Sequence, residues 1–268
     1  MRVTVCELPH DSRTRSLAWR ALCDHTTSHA SELVLLPEFA MAEAVWTSER
    51  PDPAKWAAAE AASDRWLERF EELRVQFVVG ARPVTVAGRR FNQGYIWSAA
   101  AGVAALRRKF FLPNEAGGWE ARWFEPGDSA FPAFQAGELS FGLNICTELW
   151  ALETYAAYAV GGVGAVLSPR ATAAGTRAKW MAIGAVAAVR SGAYCLSSNR
   201  VDPSGAWGGT GWIIDPDGHL LASTDTERPF ATVDLNLTAP VAARSTYPRY
   251  VFSDRFGRPS TSSNSTQR

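Results

Sequence analysis

Short apolar runs alternate with helical stretches along almost the whole chain, and this alternation limits the folds that the sequence can adopt. Residues 3–8 and 33–36 are compact apolar runs of the length typical of buried strands. A helix is predicted between them, over residues 11–29, with Asp11 as its N-cap, and another is predicted to begin at Asp52 and Pro53. The repeated strand–helix–strand order, with added hairpins, predicts an α/β protein with two sheets and helices outside them.

The remaining predicted elements continue this order. Further helices are expected at residues 152–160 and 177–191. Further strands are expected at residues 76–82, 91–98, 103–109, 131–135, 139–145, 163–168, 193–199, 211–215, 220–223 and 230–235. A chain of 268 residues suits one domain, which we assign to residues 1–259. Residues 260–268 are almost entirely Ser, Thr, Asn and Gln, a composition that predicts a disordered tail.

Charge and cysteine content exclude several classes of protein. Lys plus Arg and Asp plus Glu each number 27, so the net charge of zero favours neither nucleic acid nor an anionic membrane as a partner. The longest apolar run, MAIGAVAAV, is too short to span a bilayer, and the opening MRVTVCEL predicts a strand rather than a signal peptide. The four cysteines form no C-x-x-C pair and the four histidines are scattered, so we expect a cytoplasmic protein with no metal site.

Two charged residues stand at the ends of apolar strands. Glu38 follows LVLLP, where a partly desolvated carboxylate suits a general base, although a polar residue can also simply mark the end of a strand. Lys109 ends the strand within VAALRRKFFLP, and strand alternation places Arg107 and Lys109 on one face and Arg108 on the other. Lys109 is therefore either part of a solvated basic edge or an inward-pointing lysine that needs an anionic partner.

Cys146 occupies a third strand end, after LSFGLNI and shortly before a predicted helix. A nucleophile at a tight strand-to-helix turn projects into a cleft, and the backbone N–H groups after it can stabilise an oxyanion. The alternative is a buried structural cysteine, which is the interpretation we adopt for Cys6, Cys23 and Cys195.

Glu38, Lys109 and Cys146 together resemble the Glu–Lys–Cys triad of the nitrilase superfamily of carbon–nitrogen hydrolases. The resemblance lies in LVLLPEF, RRKFFLP and GLNICTELWALE around these residues, and in WEARWFEPGD, which is similar to the loop that supplies a second active-site glutamate, here Glu120. FNQGYIW, GAVLSPRAT, SGAYCLSSNR and GWIIDPDGHLLAST resemble later landmarks of that fold. The resemblance extends from about Met1 to Val251.

The resemblance implies a four-layer α-β-β-α sandwich that hydrolyses a small amide or nitrile without a cofactor. It implies that Glu38 is the general base, that Cys146 forms a thioester, and that Lys109 and the Thr147 amide stabilise the oxyanion. Glu120 is expected to orient Lys109 or the substrate amide. A homodimer formed by extending the sandwich across an interface, or a higher homo-oligomer, is also implied.

Several positions depart from the family pattern and bear on the substrate. Glu148 stands where many relatives carry Asp, and CTE replaces the CWE of nitrilases, which favours amide over nitrile hydrolysis. Leu149 and Trp150 replace the arginines of D-amino-acid carbamoylases, which disfavours a carbamoyl amino acid. Arg190 stands where relatives often carry Glu, with no functional explanation from the sequence.

Predictions for substrate contacts leave alternatives open. Trp150 is either a pocket wall or a core aromatic residue, and Trp119 either flanks the entrance or covers its loop. Arg170 either reaches a substrate carboxylate or pairs with an acid such as Glu148 or Glu153. Loops around residues 43–53, 113–119 and 204–209 are expected to shape the pocket. Two other functions stay open: a nitrilase, and a catalytically silent binding or scaffold protein on the same fold.

Overall fold

The computed structural model describes residues 1–252, so the predicted tail at residues 260–268 lies outside the described residues. The strands of the described chain are β1 (Arg2–Pro9), β2 (Leu33–Glu38), β3 (Phe77–Val86), β4 (Arg89–Ser98), β5 (Gly102–Arg108), β6 (Phe134–Ala136), β7 (Leu139–Leu143), β8 (Ala165–Arg170), β9 (Tyr194–Val201), β10 (Trp212–Ile214), β11 (Leu220–Ser223) and β12 (Phe230–Asp234). The α-helices are α1 (Ser12–Ser28), α2 (Pro53–Leu67), α3 (Glu120–Trp123), α4 (Glu153–Val160), α5 (Arg177–Ser191) and α6 (Ala239–Arg244).

Local sequence signals account for the ends of the longer helices. The Asp11 side chain caps α1 by accepting from the Arg13 N–H, as predicted. Asp52 caps α2 in the same way, and Pro53 occupies the first helical position. Helix α5 ends at Gly192, which has a φ of 64°, a left-handed conformation that glycine adopts without strain.

The strands form two halves joined through β1. The continuous order is β5-β4-β3-β2-β1-β9-β8-β7-β6, with β12 antiparallel to β1 and the β10–β11 hairpin beside β9. Residues 3–5 of β1 pair in parallel with β2, whereas residues 7–9 pair in parallel with β9. One strand therefore belongs to both halves and fixes their relative position.

Alternating side chains of the strands build two apolar layers. Leu33 and Leu35 of β2 join a core that includes Leu143 of β7 and Leu196 of β9, so the two sheets pack face to face. The opposite side of the first sheet packs on α1, and the outer side of the second packs on α4 and α5 through residues such as Tyr158. The predicted α/β class and four-layer α-β-β-α sandwich are confirmed. No helix in the described chain is long and apolar enough to cross a membrane.

The main differences from the predicted elements are at strand ends. The strand expected at residues 76–82 extends over Phe77–Val86, because it continues into a hairpin with β4. The strand expected at residues 163–168 is Ala165–Arg170, since its parallel pairing with β9 continues to Arg170. Pairing partners, rather than apolar runs alone, therefore decide where a strand ends.

Topology brings several strand ends together. Strands β2, β7 and β8 lie in parallel ladders, and β5 is antiparallel to β4, which is itself antiparallel to β3. Consequently β5 runs in the same direction as β2, and the carboxyl ends of both strands lie at one edge of the sheet. Glu38 and Lys109 leave the sheet at that edge, where open α/β sheets commonly form ligand clefts.

Candidate active site

A buried lysine between two buried glutamates forms the centre of the site. Lys109 Nζ donates to Glu38 Oε1 at 2.9 Å and to Glu120 Oε1 at 2.7 Å. Lys109 and Glu38 are fully buried and Glu120 is nearly so. The inward-pointing alternative for Lys109 is therefore correct, and the structure places Glu120 beside it.

Each glutamate has one oxygen bound by protein and one that is not. Glu38 Oε1 also accepts from Asn92 Nδ2 at 2.7 Å, whereas Glu38 Oε2 and Glu120 Oε2 are buried without a hydrogen-bond partner in the described chain. A buried carboxylate oxygen without a partner is energetically costly, which is why such atoms concentrate where a ligand or reacting group binds. Each of these oxygens is an unused hydrogen-bond acceptor within the buried cluster.

Cys146 follows β7 on a strained turn. Its φ is 49°, a left-handed conformation that is unusual for a residue other than glycine and is common at sites of function. Cys146 begins a short 3-10 helix that ends at Trp150, and the first hydrogen bond of this helix runs from the Glu148 N–H to the Ile145 carbonyl. The N–H of Thr147 therefore has no acceptor within the helix and follows a nucleophile that is buried at a strand-to-helix turn.

Burial and charge determine the protonation states. Burial opposes the charge on Lys109, but Glu120 and Glu38 outweigh it, so the pKa of Lys109 is raised and the ammonium is retained. Burial raises the pKa of Glu120 to about 8, against the opposing effect of Lys109. Burial, reinforced by Glu38, raises the pKa of the Cys146 thiol, which Lys109 only partly offsets. The resting nucleophile is therefore a thiol that needs a base.

A second buried ion pair supports the turn that carries Cys146. Arg107 forms a bidentate pair with Glu148, two residues after Cys146 in the chain. Glu148 also accepts from the Ile145 N–H at 2.9 Å and from the Phe110 N–H at 2.7 Å. Glu148 therefore fixes the residue before Cys146 and the residue after Lys109 in one network, a function that the sequence did not reveal.

Cys146 and Glu120 line an open cavity of about 830 Å³. Thr147 and Trp150 line it too, so the pocket-wall alternative for Trp150 agrees with its position. Each loop predicted to shape the pocket contributes to the cavity. Its lining residues from these loops are Trp46, Thr47, Pro113, Asn114, Glu115, Ala116, Gly117, Gly118, Ala206 and Trp207.

Arg170 requires a correction, because neither alternative predicted for it is observed. It is buried and does not line the cavity, and its guanidinium donates to Ser197 Oγ, Thr172 Oγ1 and the Thr210 carbonyl. All three nitrogens are therefore engaged by neutral groups, and Glu148 pairs with Arg107 instead. Parallel pairing of β8 with β9 extends to this residue and directs it into the protein interior.

Trp119 is half-buried and is not among the residues that line the cavity. It packs against an apolar cluster that includes Phe39 and Phe124, and its backbone N–H donates to the Trp46 carbonyl. Of the two predicted alternatives, covering the loop fits this position. Arg190 lies 4.2 Å from the Phe252 ring centroid, and we find no connection from it to the cavity.

Sequence reasoning missed Asn92 and three tryptophans. Asn92 lies inside FNQGYIW, a segment noted only as a landmark of the fold, yet its amide holds the carboxylate of Glu38. Trp46, Trp180 and Trp207 line the cavity. The predicted pocket loops contain Trp46 and Trp207 without singling them out, and the high tryptophan content was the only signal for Trp180. Single residues in strands and loops cannot be assigned to a cavity without the tertiary structure.

Comparison with known protein families identifies the class of protein to which this fold and site belong. The family described as carbon-nitrogen hydrolase matches residues 2–243, and the chain belongs to that family. The resemblance to the nitrilase superfamily is thereby confirmed. No protein of curated function matches the sequence significantly.

Solved structures share the fold at low sequence identity. A carbon-nitrogen hydrolase from Helicobacter pylori has a TM-score of 0.83 and 19% identity, covering 96% of this chain and 99% of that chain. An amidase from Nesterenkonia sp. has a TM-score of 0.73 and 20% identity, covering 90% and 92%. A mutant of the Nesterenkonia sp. AN1 amidase, with the acetamide moiety of fluoroacetamide added covalently at its active-site cysteine, has a TM-score of 0.74 and 19% identity, covering 96% of both chains.

Proposed function

We propose that this protein hydrolyses a carbon–nitrogen bond in an amide through a thioester formed on Cys146. The observation that carries the proposal is the contact of one buried lysine with both Glu38 and Glu120 beside the cavity that Cys146 lines. That arrangement supplies a base, a cation and a nucleophile in one place. The amidase structures that share the fold support an amide as substrate.

Acylation begins with proton transfer. Glu38 takes the thiol proton through its free Oε2 while Cys146 Sγ attacks the amide carbon, since the raised pKa of the thiol makes a base necessary. The amide C=O becomes an oxyanion, which accepts from Lys109 Nζ and the Thr147 N–H. An ammonium has three N–H donors and Lys109 uses two on the glutamates, so one is left for the oxyanion.

Collapse and hydrolysis complete the cycle. Glu38 gives its proton to the leaving nitrogen, the C–N bond breaks, and ammonia or an amine departs from the thioester. Glu38 then takes a proton from water as the water attacks the thioester carbon. The C–S bond breaks, the carboxylic acid is released, and the proton returns to Cys146. Glu120 holds Lys109 in position throughout.

Intact-mass spectrometry tests this proposal. After exposure to a mixed library of amides and nitriles, we expect the protein to gain the mass of an acyl group, located on Cys146 by peptide mapping. The Cys146→Ala variant is the control and should stay unmodified. Ammonia release from paired amides and nitriles separates an amidase from the alternative nitrilase. Absence of any adduct and of any turnover would favour the silent scaffold instead.

Assembly and location complete the proposal. We infer one domain over residues 1–259, located in the cytoplasm, and a homodimer built by extending the sandwich across an interface. Light scattering at micromolar concentration is the measurement, and a strict monomer would contradict the assembly.

A further inference from the structure

Four tryptophans line the cavity of Cys146, and they form two separate edge-to-face pairs. Trp46 and Trp207 have ring centroids 6.4 Å apart at 75°, and Trp150 and Trp180 have centroids 5.6 Å apart at 63°. The four come from four different segments of the chain, so tertiary folding gathers them at this cavity. Indole faces and edges offer large, flat, apolar contact surfaces.

The indole N–H groups of these residues have no acceptor in the described chain, although Trp46, Trp180 and Trp207 are largely buried. Trp19, Trp56 and Trp123 donate to Glu72, Thr85 and the Ser48 carbonyl, as buried indoles usually do. The four cavity tryptophans make no indole hydrogen bond within residues 1–252, and their nitrogens are not among the fully buried unpaired atoms of that region. Their donors therefore remain available to acceptor atoms of a bound molecule. The four are Trp46, Trp150, Trp180 and Trp207.

The charges on the cavity wall do not select an ionic substrate. Glu120 is committed to Lys109, and the remaining charged lining residues are Glu115 and Lys179, which are exposed and opposite in sign. No arginine lines the cavity in the described chain, so a bidentate partner for a substrate carboxylate is absent there. An uncharged ligand is consequently favoured.

Cavity size sets the scale of the ligand. A volume of about 830 Å³ lies within the range of pockets that enclose drug-sized molecules. An aliphatic amide of a few carbons leaves most of this space in contact with water, together with the exposed 43% of Trp150 and the small exposed parts of Trp46, Trp180 and Trp207. The apolar surface is removed from water only if the substrate carries a large group beyond the reacting amide.

We propose that the substrate is an amide that carries a large, planar, uncharged group of the aryl or arylalkyl class, bound by the four tryptophans. This inference rests on the proposed function of Cys146. The reacting amide lies at Cys146 and Thr147, and the planar group packs on the indole surfaces with the indole N–H groups donating to its acceptor atoms.

Kinetics with three matched probes test the proposal. The probes are propionamide, 3-phenylpropionamide and the para-carboxylate of 3-phenylpropionamide. We expect kcat/KM for 3-phenylpropionamide to exceed that for propionamide by about 10- to 100-fold, from burial of the ring. The added carboxylate should remove most of this gain, because the charged lining residues Glu115 and Lys179 are exposed and opposite in sign and no arginine of the described chain lines the cavity. Equal values for all three probes would overturn the inference while leaving amide hydrolysis intact.

Substitution of one tryptophan tests whether the preference for the phenyl-bearing amide depends on the cavity wall. Trp150 is 43% exposed, so Trp150→Ala is compatible with folding. We expect it to lower the ratio of kcat/KM for 3-phenylpropionamide to that for propionamide by about tenfold. The matched control is Trp66→Ala, because Trp66 packs on Trp19 and Arg69 away from the cavity, and its ratio should match the wild type. An unchanged ratio in Trp150→Ala would overturn the inference.

A binding measurement separates failure of this inference from failure of the proposed function. In the Cys146→Ala variant, calorimetric titration should show 3-phenylpropionamide binding about tenfold or more tightly than propionamide. Selective binding without turnover in the wild type would refute the catalytic proposal and support the planar-group site. Turnover without selective binding would refute the planar-group site alone.

Discussion

Two buried ion clusters begin at neighbouring positions at the end of β5. They differ in how completely their hydrogen bonds are satisfied. Arg107 lies in β5, and Lys109 is the first residue after that strand. The two side chains are two positions apart, so strand alternation directs both of them inward. Arg107 meets one carboxylate, whereas Lys109 meets two. The structure therefore offers a comparison of two buried cations under nearly the same constraint from the backbone.

The Arg107 cluster is saturated. Both oxygens of Glu148 accept from Arg107, and each also accepts one backbone N–H. Arg107 Nε donates to the Ala130 carbonyl at 3.2 Å. A buried pair whose hydrogen bonds are complete keeps its charges and its geometry, which suits it to hold the turn before Cys146.

The Lys109 cluster is incomplete. Glu38 and Glu120 each keep one oxygen without a partner, and two carboxylates share one ammonium. An incomplete polar network costs free energy of folding, and the proposed mechanism uses the free oxygen of Glu38 as the base. The following changes test whether the two clusters differ in this way, in order of expected effect.

The largest expected effect is that of Cys146→Ala, which leaves both ion clusters intact. We expect amide hydrolysis to fall by at least about 10⁴-fold, because no thioester can form. The melting temperature should stay within a few degrees of the wild type. Ammonia release and calorimetry measure the two effects, and retention of full activity would refute the mechanism.

Lys109→Met removes the cation from the incomplete cluster. We expect kcat/KM to fall by about 10³-fold, because an oxyanion donor is lost. Without the cation, ionising the two buried carboxyl groups costs free energy of folding. The loss of thermal stability in this variant should therefore grow as pH rises. Activity within tenfold of the wild type would exclude Lys109 as an oxyanion donor.

Arg107→Met removes the cation from the saturated cluster. We expect a loss of about 3–5 kcal/mol in the free energy of unfolding, because Glu148 becomes an unpaired buried charge. The double variant Arg107→Met/Glu148→Gln should recover part of this loss, since no uncompensated charge remains. Activity per folded molecule should change far less than in Lys109→Met. Denaturant unfolding tests this, and a double variant no more stable than the single one would contradict the assignment.

The smallest expected effect concerns Glu120 and pH. Its pKa is raised from 4.5 to about 8, so between these values the folded state holds a proton that the unfolded state has lost. Stability from this group therefore falls as pH rises through that window. We expect Glu120→Gln to show a weaker decline in melting temperature than the wild type between about pH 5 and about pH 8.

Glu125→Gln is the matched control for this measurement. Arg89 lowers the pKa of Glu125, so its contribution to stability is lost only as pH falls below that window. The melting temperature of Glu125→Gln should decline over the measured pH range in parallel with that of the wild type. A Glu120→Gln profile parallel to the wild type would show that Glu120 does not hold the extra proton.

Sequence position drew attention to Glu38, Lys109 and Cys146, because each ends an apolar strand. The resemblance to the Glu–Lys–Cys triad then favoured the catalytic interpretation over the structural one, and the structure brings Glu38 and Lys109 into contact. Asn92 was not identified, because it lies within a strand and meets Glu38 only through the pairing of neighbouring strands. Arg170 was expected either to reach a substrate carboxylate or to pair with an acid such as Glu148 or Glu153, but it is buried and donates to neutral groups such as Ser197 Oγ.

The sequence by itself determined the strand–helix order, the buried faces and the positions of Glu38, Lys109 and Cys146 at strand ends, because apolar periodicity and local capping act over a few residues. Only the tertiary structure decided which cation meets which carboxylate, which oxygens stay free, and which tryptophans line one cavity. Those features depend on contacts between segments far apart in the chain. Lys109 and Glu38 are separated by 71 positions in sequence and by 2.9 Å in space.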